Sequence, residues 1–118
     1  MLAKKKKGED INYLELTPNR LYEHELNEKG LIDVLVPRFT DKVFGKLLQP
    51  RLRNKYIKAN LDALGSAAWE LIDGKNNVDA IAATLRARFG EEIEPVYDRL
   101  TAFLTQLYKN GFINFKEL

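Results

Sequence analysis

Apolar positions along the chain change period once, near residue 60. Upstream they come in short runs. Tyr13-Leu14-Glu15-Leu16 reads as a short strand or extended packing segment stopped by Thr17-Pro18, and Leu21–Leu26 as a strand. Leu31–Val36 is apolar, rich in β-branched residues and ended by Pro37, the composition of a strand. Asn27-Glu28-Lys29-Gly30 supplies turn chemistry between the last two, so they form a hairpin. Tyr56–Leu61 is a third strand, with Ile57, Ala59 and Leu61 facing one way and Tyr56, Lys58 and Asn60 the other.

Downstream the period is helical. Within Asn60–Gly74, Leu61, Leu64, Ala68, Leu71 and Ile72 form one apolar face joined by Trp69. Asp62 is placed to cap the helix and Gly74 to close it. Val78–Phe89 is a second helix, capped by Asn77, with Val78, Ile81, Ala82, Leu85 and Phe89 on its apolar face and Gly90 at its end. A third helix starts near Pro95, which suits a first helical position, and runs to Asn110-Gly111. Its core stripe is Val96, Leu100, Phe103 and Leu107. Tyr97, Thr101, Leu104 and Tyr108 run beside it, as extra core contact or as a groove wall. Ile113 and Phe115 end the chain as an extended segment. The expected fold class is α+β, strands first and helices after.

Residues 38–55 break the pattern. Phe39, Val43, Phe44, Leu47 and Leu48 fit a short amphipathic helix capped by Thr40 or Asp41 and stopped by Pro50. Arg38, Lys42, Lys46, Arg51, Arg53, Lys55 and Lys58 surround that stripe against Asp41 alone. The segment is either a loop with its charges in water or a docking surface for an acidic partner. Lys4–Lys7 is a second basic run, in a polar N-terminal arm expected to be mobile. The resulting division is an arm over 1–20 and one domain over 21–118, with 38–55 as a basic insert. Over the whole chain the net charge is only +2.

Length and composition remove several functions. A chain of 118 residues can bury a core without metal or disulfide. It has no cysteine and one histidine, His24, which leaves no thiolate or histidine zinc set. No apolar run is long enough to span a membrane, and no signal peptide is evident, so the expected location is cytoplasmic. Asp73-Gly74-Lys75 lacks the glycines and hydroxyl residue of a phosphate loop. Ser66 has no histidine partner in sequence. Glu91, Glu92 and Glu94 precede a helix N-terminus, where carboxylates favour the macrodipole. The expectation is a protein without catalytic residues, metal or cofactor.

From Ile57 to Phe115 the chain resembles the PqqD family. The resemblance rests on Leu61-Asp62, Gly65-Ser66-Ala67, Trp69 through Gly74, Val78-Asp79-Ala80-Ile81, Phe89-Gly90, and Phe103-Leu104 through Gly111-Phe112-Ile113. It implies a winged-helix-like fold, a three-stranded antiparallel sheet followed by a three-helix bundle. It also implies a peptide chaperone, or recognition element, for ribosomally made and later modified peptides. Such a protein binds a precursor's leader and presents it to a modifying enzyme, often a radical SAM protein, as in pyrroloquinoline quinone (PQQ) biosynthesis. The arm and the basic segment make this chain longer than the plain family domain.

Carried onto this sequence, the family's site between the third strand and third helix falls on Tyr56, Ile57, Lys58, Ala59 and Asn60. Facing them it places Tyr97, Thr101, Leu104, Thr105 and Tyr108. Lys58 and the cations of 38–55 would hold acidic residues of the leader. An exposed sheet edge can itself add a peptide as a further strand. The alternative is a nucleic-acid-binding winged helix with its third helix in the major groove. Asp98 and the glutamates before that helix would repel phosphates. A third reading is an assembly subunit whose wide apolar face is a homodimer contact, self-association being favoured by exposed strand edges.

Overall fold

The computed structural model describes residues 12–37 and 56–118. The Lys4–Lys7 run and both readings of the segment 38–55 lie outside the described residues. Among the described residues five strands and three α-helices follow one another as β1 (Pro18–Arg20), β2 (His24–Leu26), β3 (Ile32–Pro37), β4 (Tyr56–Asn60), α1 (Ala63–Leu71), α2 (Val78–Phe89), α3 (Val96–Lys109) and β5 (Ile113–Phe115). β2, β3 and β4 form the expected antiparallel sheet with β3 central. Val34 lies opposite both His24 and Ala59, and Asp33 opposite both Glu25 and Asn60.

α1 and α2 begin at side-chain caps. The Asp62 carboxylate accepts from Gly65 N–H at 2.7 Å and the Asn77 side chain from Ala80 N–H at 2.8 Å. α1 then turns Gly65, Ser66, Ala67, Ala68 and Trp69 inward. These small residues let the helix approach the sheet closely. The buried Ser66 hydroxyl accepts from Ile32 N–H at 2.8 Å, satisfying a strand donor that would otherwise be orphaned. Trp69 is fully buried. Its indole N–H donates to His24 Nδ1 at 3.1 Å, with the rings edge to face. Ile72, Val78, Ile81, Ala82, Leu85, Val96, Leu100 and Leu107 complete the core with Ile32 and Val34.

Two expectations change upstream. Tyr13–Glu15 is a 3₁₀ turn, not a strand, because the Asn12 side chain accepts from Leu14 N–H and closes the chain locally. The strand read over Leu21–Leu26 shrinks to β2, since Leu21 N–H is taken by the Phe112 carbonyl and the Tyr22 ring packs on Phe112.

A second sheet was not foreseen. β1 pairs antiparallel with β5, Pro18 opposite Phe115 and Arg20 opposite Ile113. Residues 13–20, grouped above with the arm, are thus part of the folded body. Leu16 is buried and its carbonyl accepts from Val78 N–H at 2.9 Å. Thr17 donates through its N–H and its hydroxyl to the Glu117 carboxylate, both at 2.7 Å. Gly74, with φ +77°, donates its N–H to the Pro18 carbonyl, and a Cβ there would lie 2.9 Å from Asn19 Oδ1.

Candidate functional site

β4 is an edge strand. Leu61 N–H donates to the Ile32 carbonyl at 2.9 Å. Inward and outward backbone groups alternate along an antiparallel strand. Ala59 and Ile57 therefore also bond toward β3, and Tyr56, Lys58 and Asn60 direct their N–H and C=O groups away from the sheet. Among the described residues no strand pairs with that edge. The same stretch exposes apolar surface, with Tyr56 44% and Ile57 56% accessible. Ile57 shares the core-facing side with Ala59, but only Ala59 packs against the core.

Two side chains of the edge are already engaged. Lys58 Nζ lies 2.8 Å from Glu25 Oε2, which raises the lysine's pKa. Asn60 Nδ2 donates to Asp33 Oδ1 at 2.6 Å, and Asn27 Nδ2 donates to the same oxygen at 3.0 Å. These bonds, the Asn60 bond first, hold the Asp33 carboxyl below its ordinary pKa. The expectation that Lys58 waits for an acidic partner is thus altered: its charge is matched within the sheet.

Two residues past β4, at the Asp62 cap of α1, begins an apolar cleft of about 170 Å³ between α1 and α3. Leu64, Ala68, Leu85, Val96, Leu100 and Phe103 line it, with Asp62 and Arg99. The absence of a side chain at Gly65 opens this corner. An ideal Cβ at that position would lie 3.0 Å from Asp62 Oδ1 and 3.5 Å from both Leu61 Cβ and Phe103 Cε1, so the Phe103 ring packs over Gly65, just past the edge strand. Arg99 is held by a hydrogen bond from Nη1 to the Glu92 carbonyl at 3.0 Å.

The helix wall named from the sequence lies on another face of α3. Leu104 is fully buried and presents nothing to a ligand; it is a core residue, and Phe103 takes the more exposed position. The Tyr97 hydroxyl donates to Asp79 on α2 at 2.9 Å, and the Arg86 guanidinium stacks over its ring. That bond to a carboxylate raises the Tyr97 pKa. Thr101 Oγ1 turns back to the Tyr97 carbonyl at 2.7 Å. Thr105 Oγ1 meets the Tyr13 hydroxyl at 2.9 Å, and burial pushes that phenol's pKa up. Tyr108 is 43% exposed and packs on Phe115 of β5. The structure therefore brings Tyr56 to Asn60 together on one edge, sets Thr101 and Thr105 beside Tyr13 and Tyr108 beside β5, and turns Tyr97 to α2. Their hydrogen-bonding and ring partners lie on α2, β5, the Tyr13 turn and α3 itself, none on β4.

Phe103, Leu64 and Arg99 are the residues that sequence reasoning missed. Their signal was position: Leu64 and Gly65 directly follow the edge strand, and Phe103 and Arg99 are one turn apart on α3.

Among the described residues no group of histidine and carboxylate side chains is arranged to hold a metal, and no helix is long and apolar enough to cross a membrane. A family model described as Coenzyme PQQ synthesis protein D (PqqD) matches residues 47–113, more than half of the chain. No curated protein and no solved structure gives a match.

Proposed function

The chain belongs to the PqqD family, and from that membership we propose that it is an accessory binding protein that captures a peptide and does no chemistry on it. The family description ties it to coenzyme PQQ synthesis. In this reading the peptide is the leader of a ribosomal precursor. It adds as a strand to the outer edge of β4 and is presented to a modifying enzyme, a radical SAM protein or another.

The observation that carries the reading is the row of outward backbone groups at Tyr56, Lys58 and Asn60, with the α1–α3 cleft beginning two residues beyond it. Main-chain bonds would supply affinity, and alternate side chains would supply selectivity. The inner side chains of an added strand would continue the side of Ile57 and Ala59 toward Phe103 and Leu64. The cleft is close in size to the apolar cavity of about 150 Å³ that takes up benzene in an engineered lysozyme, so it suits one branched or aromatic side chain.

The test is a backbone-amide NMR titration with a candidate leader peptide encoded beside the protein's gene, run on wild type and Lys58→Pro. Proline removes an outward N–H and is tolerated on strand edges. The expected result is shifts at Tyr56–Asn60 and around Phe103, with affinity at least about tenfold weaker in the variant. Shifts confined elsewhere, or equal affinity in a folded Lys58→Pro, would refute strand addition at this edge.

A further inference from the structure

We infer, resting on that strand-addition reading, that the captured peptide carries a lysine or arginine beside Asn60, and that Asp33 is the residue that selects it. The outer face of the three-stranded sheet is acidic. Glu25 and Asp33 lie directly opposite each other on β2 and β3, and Glu23 is exposed just before β2. Among the described residues the basic side chain of that face is Lys58, which pairs with Glu25 at 2.8 Å. Like charges opposed on neighbouring strands repel; Lys58 sits on Glu25 and reaches Asp33 only as a weaker, more distant charge.

Asp33 is the carboxylate left over. Its residue is 5% exposed. Both amide donors, from Asn27 and Asn60, go to Oδ1. Among the described residues nothing donates to Oδ2, and no buried side-chain oxygen there lacks a partner, so Oδ2 is the oxygen that keeps accessible surface. It does so in a second cleft, of about 360 Å³, whose wall includes Asn27, Glu28, Lys29 and Asn60. Glu28 and Lys29 both stand at this rim, and among the described residues no cation forms an ion pair with Asp33. The amide bonds keep it ionised and aimed.

Asn60 belongs both to this cleft and to the outward row of β4. A strand added there would lie roughly 9.5 Å from β3, two strand spacings. Short side chains do not cross that gap; a lysine or arginine stem passing over Asn60 does, burying its methylenes and delivering its charge to Oδ2. The recognised leader is thus basic at this position, the reverse of the acidic leader that the lysine-rich sequence invites.

The probes are three acetylated, amidated peptides, Val-Thr-Val-Xaa-Val-Thr-Val, with lysine, glutamine or glutamate at Xaa, titrated into the full-length labelled protein. The lysine peptide should bind at least about fivefold tighter than the glutamine one, with glutamate weakest, and should move the signals of Asn27, Asp33 and Asn60. Asp33→Asn should erase the lysine preference but keep binding. Because Asp33 also anchors two asparagines, Glu25→Gln is run beside it and should retain the preference. Equal affinities with shifts along Tyr56–Asn60 would overturn the inference and leave strand addition standing. Tighter binding of the glutamate peptide would overturn it in favour of Lys58 as an acid acceptor. Absence of shifts on β4 with all three peptides would refute strand addition, and the inference with it.

Discussion

Replacing His24 by leucine isolates the bond between the sheet and the buried tryptophan. Trp69 has no exposed surface, and its indole N–H has His24 Nδ1 as acceptor at 3.1 Å. Leucine fills much of the imidazole's space, offers no acceptor and keeps water out. The cost is that of a buried donor left unpaired, about 1–3 kcal/mol. Half-burial of His24 leaves the apolar change nearly neutral, so we expect about 2 kcal/mol. For a domain of this size that lowers Tm by roughly 8 °C. His24→Asn places an amide oxygen near the position of Nδ1 and should restore at least half of the loss. Urea unfolding followed by fluorescence of the chain's one tryptophan measures both. In a Trp69→Phe background, read by circular dichroism, His24→Leu should cost far less, since the donor is gone. Loss of less than about 0.5 kcal/mol in His24→Leu, or equal stability of the leucine and asparagine variants, would refute the reasoning.

Three further outcomes follow from the same geometry. Leu104→Ala should cost about 3 kcal/mol by opening a core cavity, seen in urea unfolding, whereas a residue of an open groove wall would cost little. Gly74→Ala should cost at least about 1–2 kcal/mol, because φ is positive and the new Cβ meets Asn19 Oδ1; thermal unfolding checks it. Asp33 titrates below its ordinary value when folded, so its contribution is present above the usual carboxylate pKa of about 3.9 and is lost as pH falls through the lower folded value. An acid unfolding series should therefore show a shallower loss of stability below about pH 4 in Asp33→Asn than in wild type.

Local chemistry made much of the fold legible. Asp62 and Asn77 cap their helices as their side chains dictate, Gly90 takes the positive φ its position calls for, and α3 starts after Pro95. β4 was legible through its alternation and gave the edge half of the candidate site. The helix half was not, because after Leu100 the helical period admits both Phe103 and Leu104 as the next inward position. Only the tertiary fit decides: Leu104 goes to the core and Phe103 packs over Gly65. β1 was illegible for another reason: Pro18-Asn19-Arg20 has no strand character of its own and becomes a strand only because β5 returns beside it. The partnership of His24 and Trp69 likewise spans 45 residues, with no local trace.

The ribbon of β1 and β5 also sets a clock. Thr17 and Glu117, which bond across its end, are 100 residues apart. At a synthesis rate of 5–20 residues per second, β1 waits roughly 5–20 s for its partner. During that interval Leu16 and Pro18 have emerged while Ile113 and Phe115 have not, so the ledge they share stays open on the nascent chain. The sheet of β2, β3 and β4 is fully translated well before then. All the residues of that sheet are thus translated before the other side of the domain can be closed.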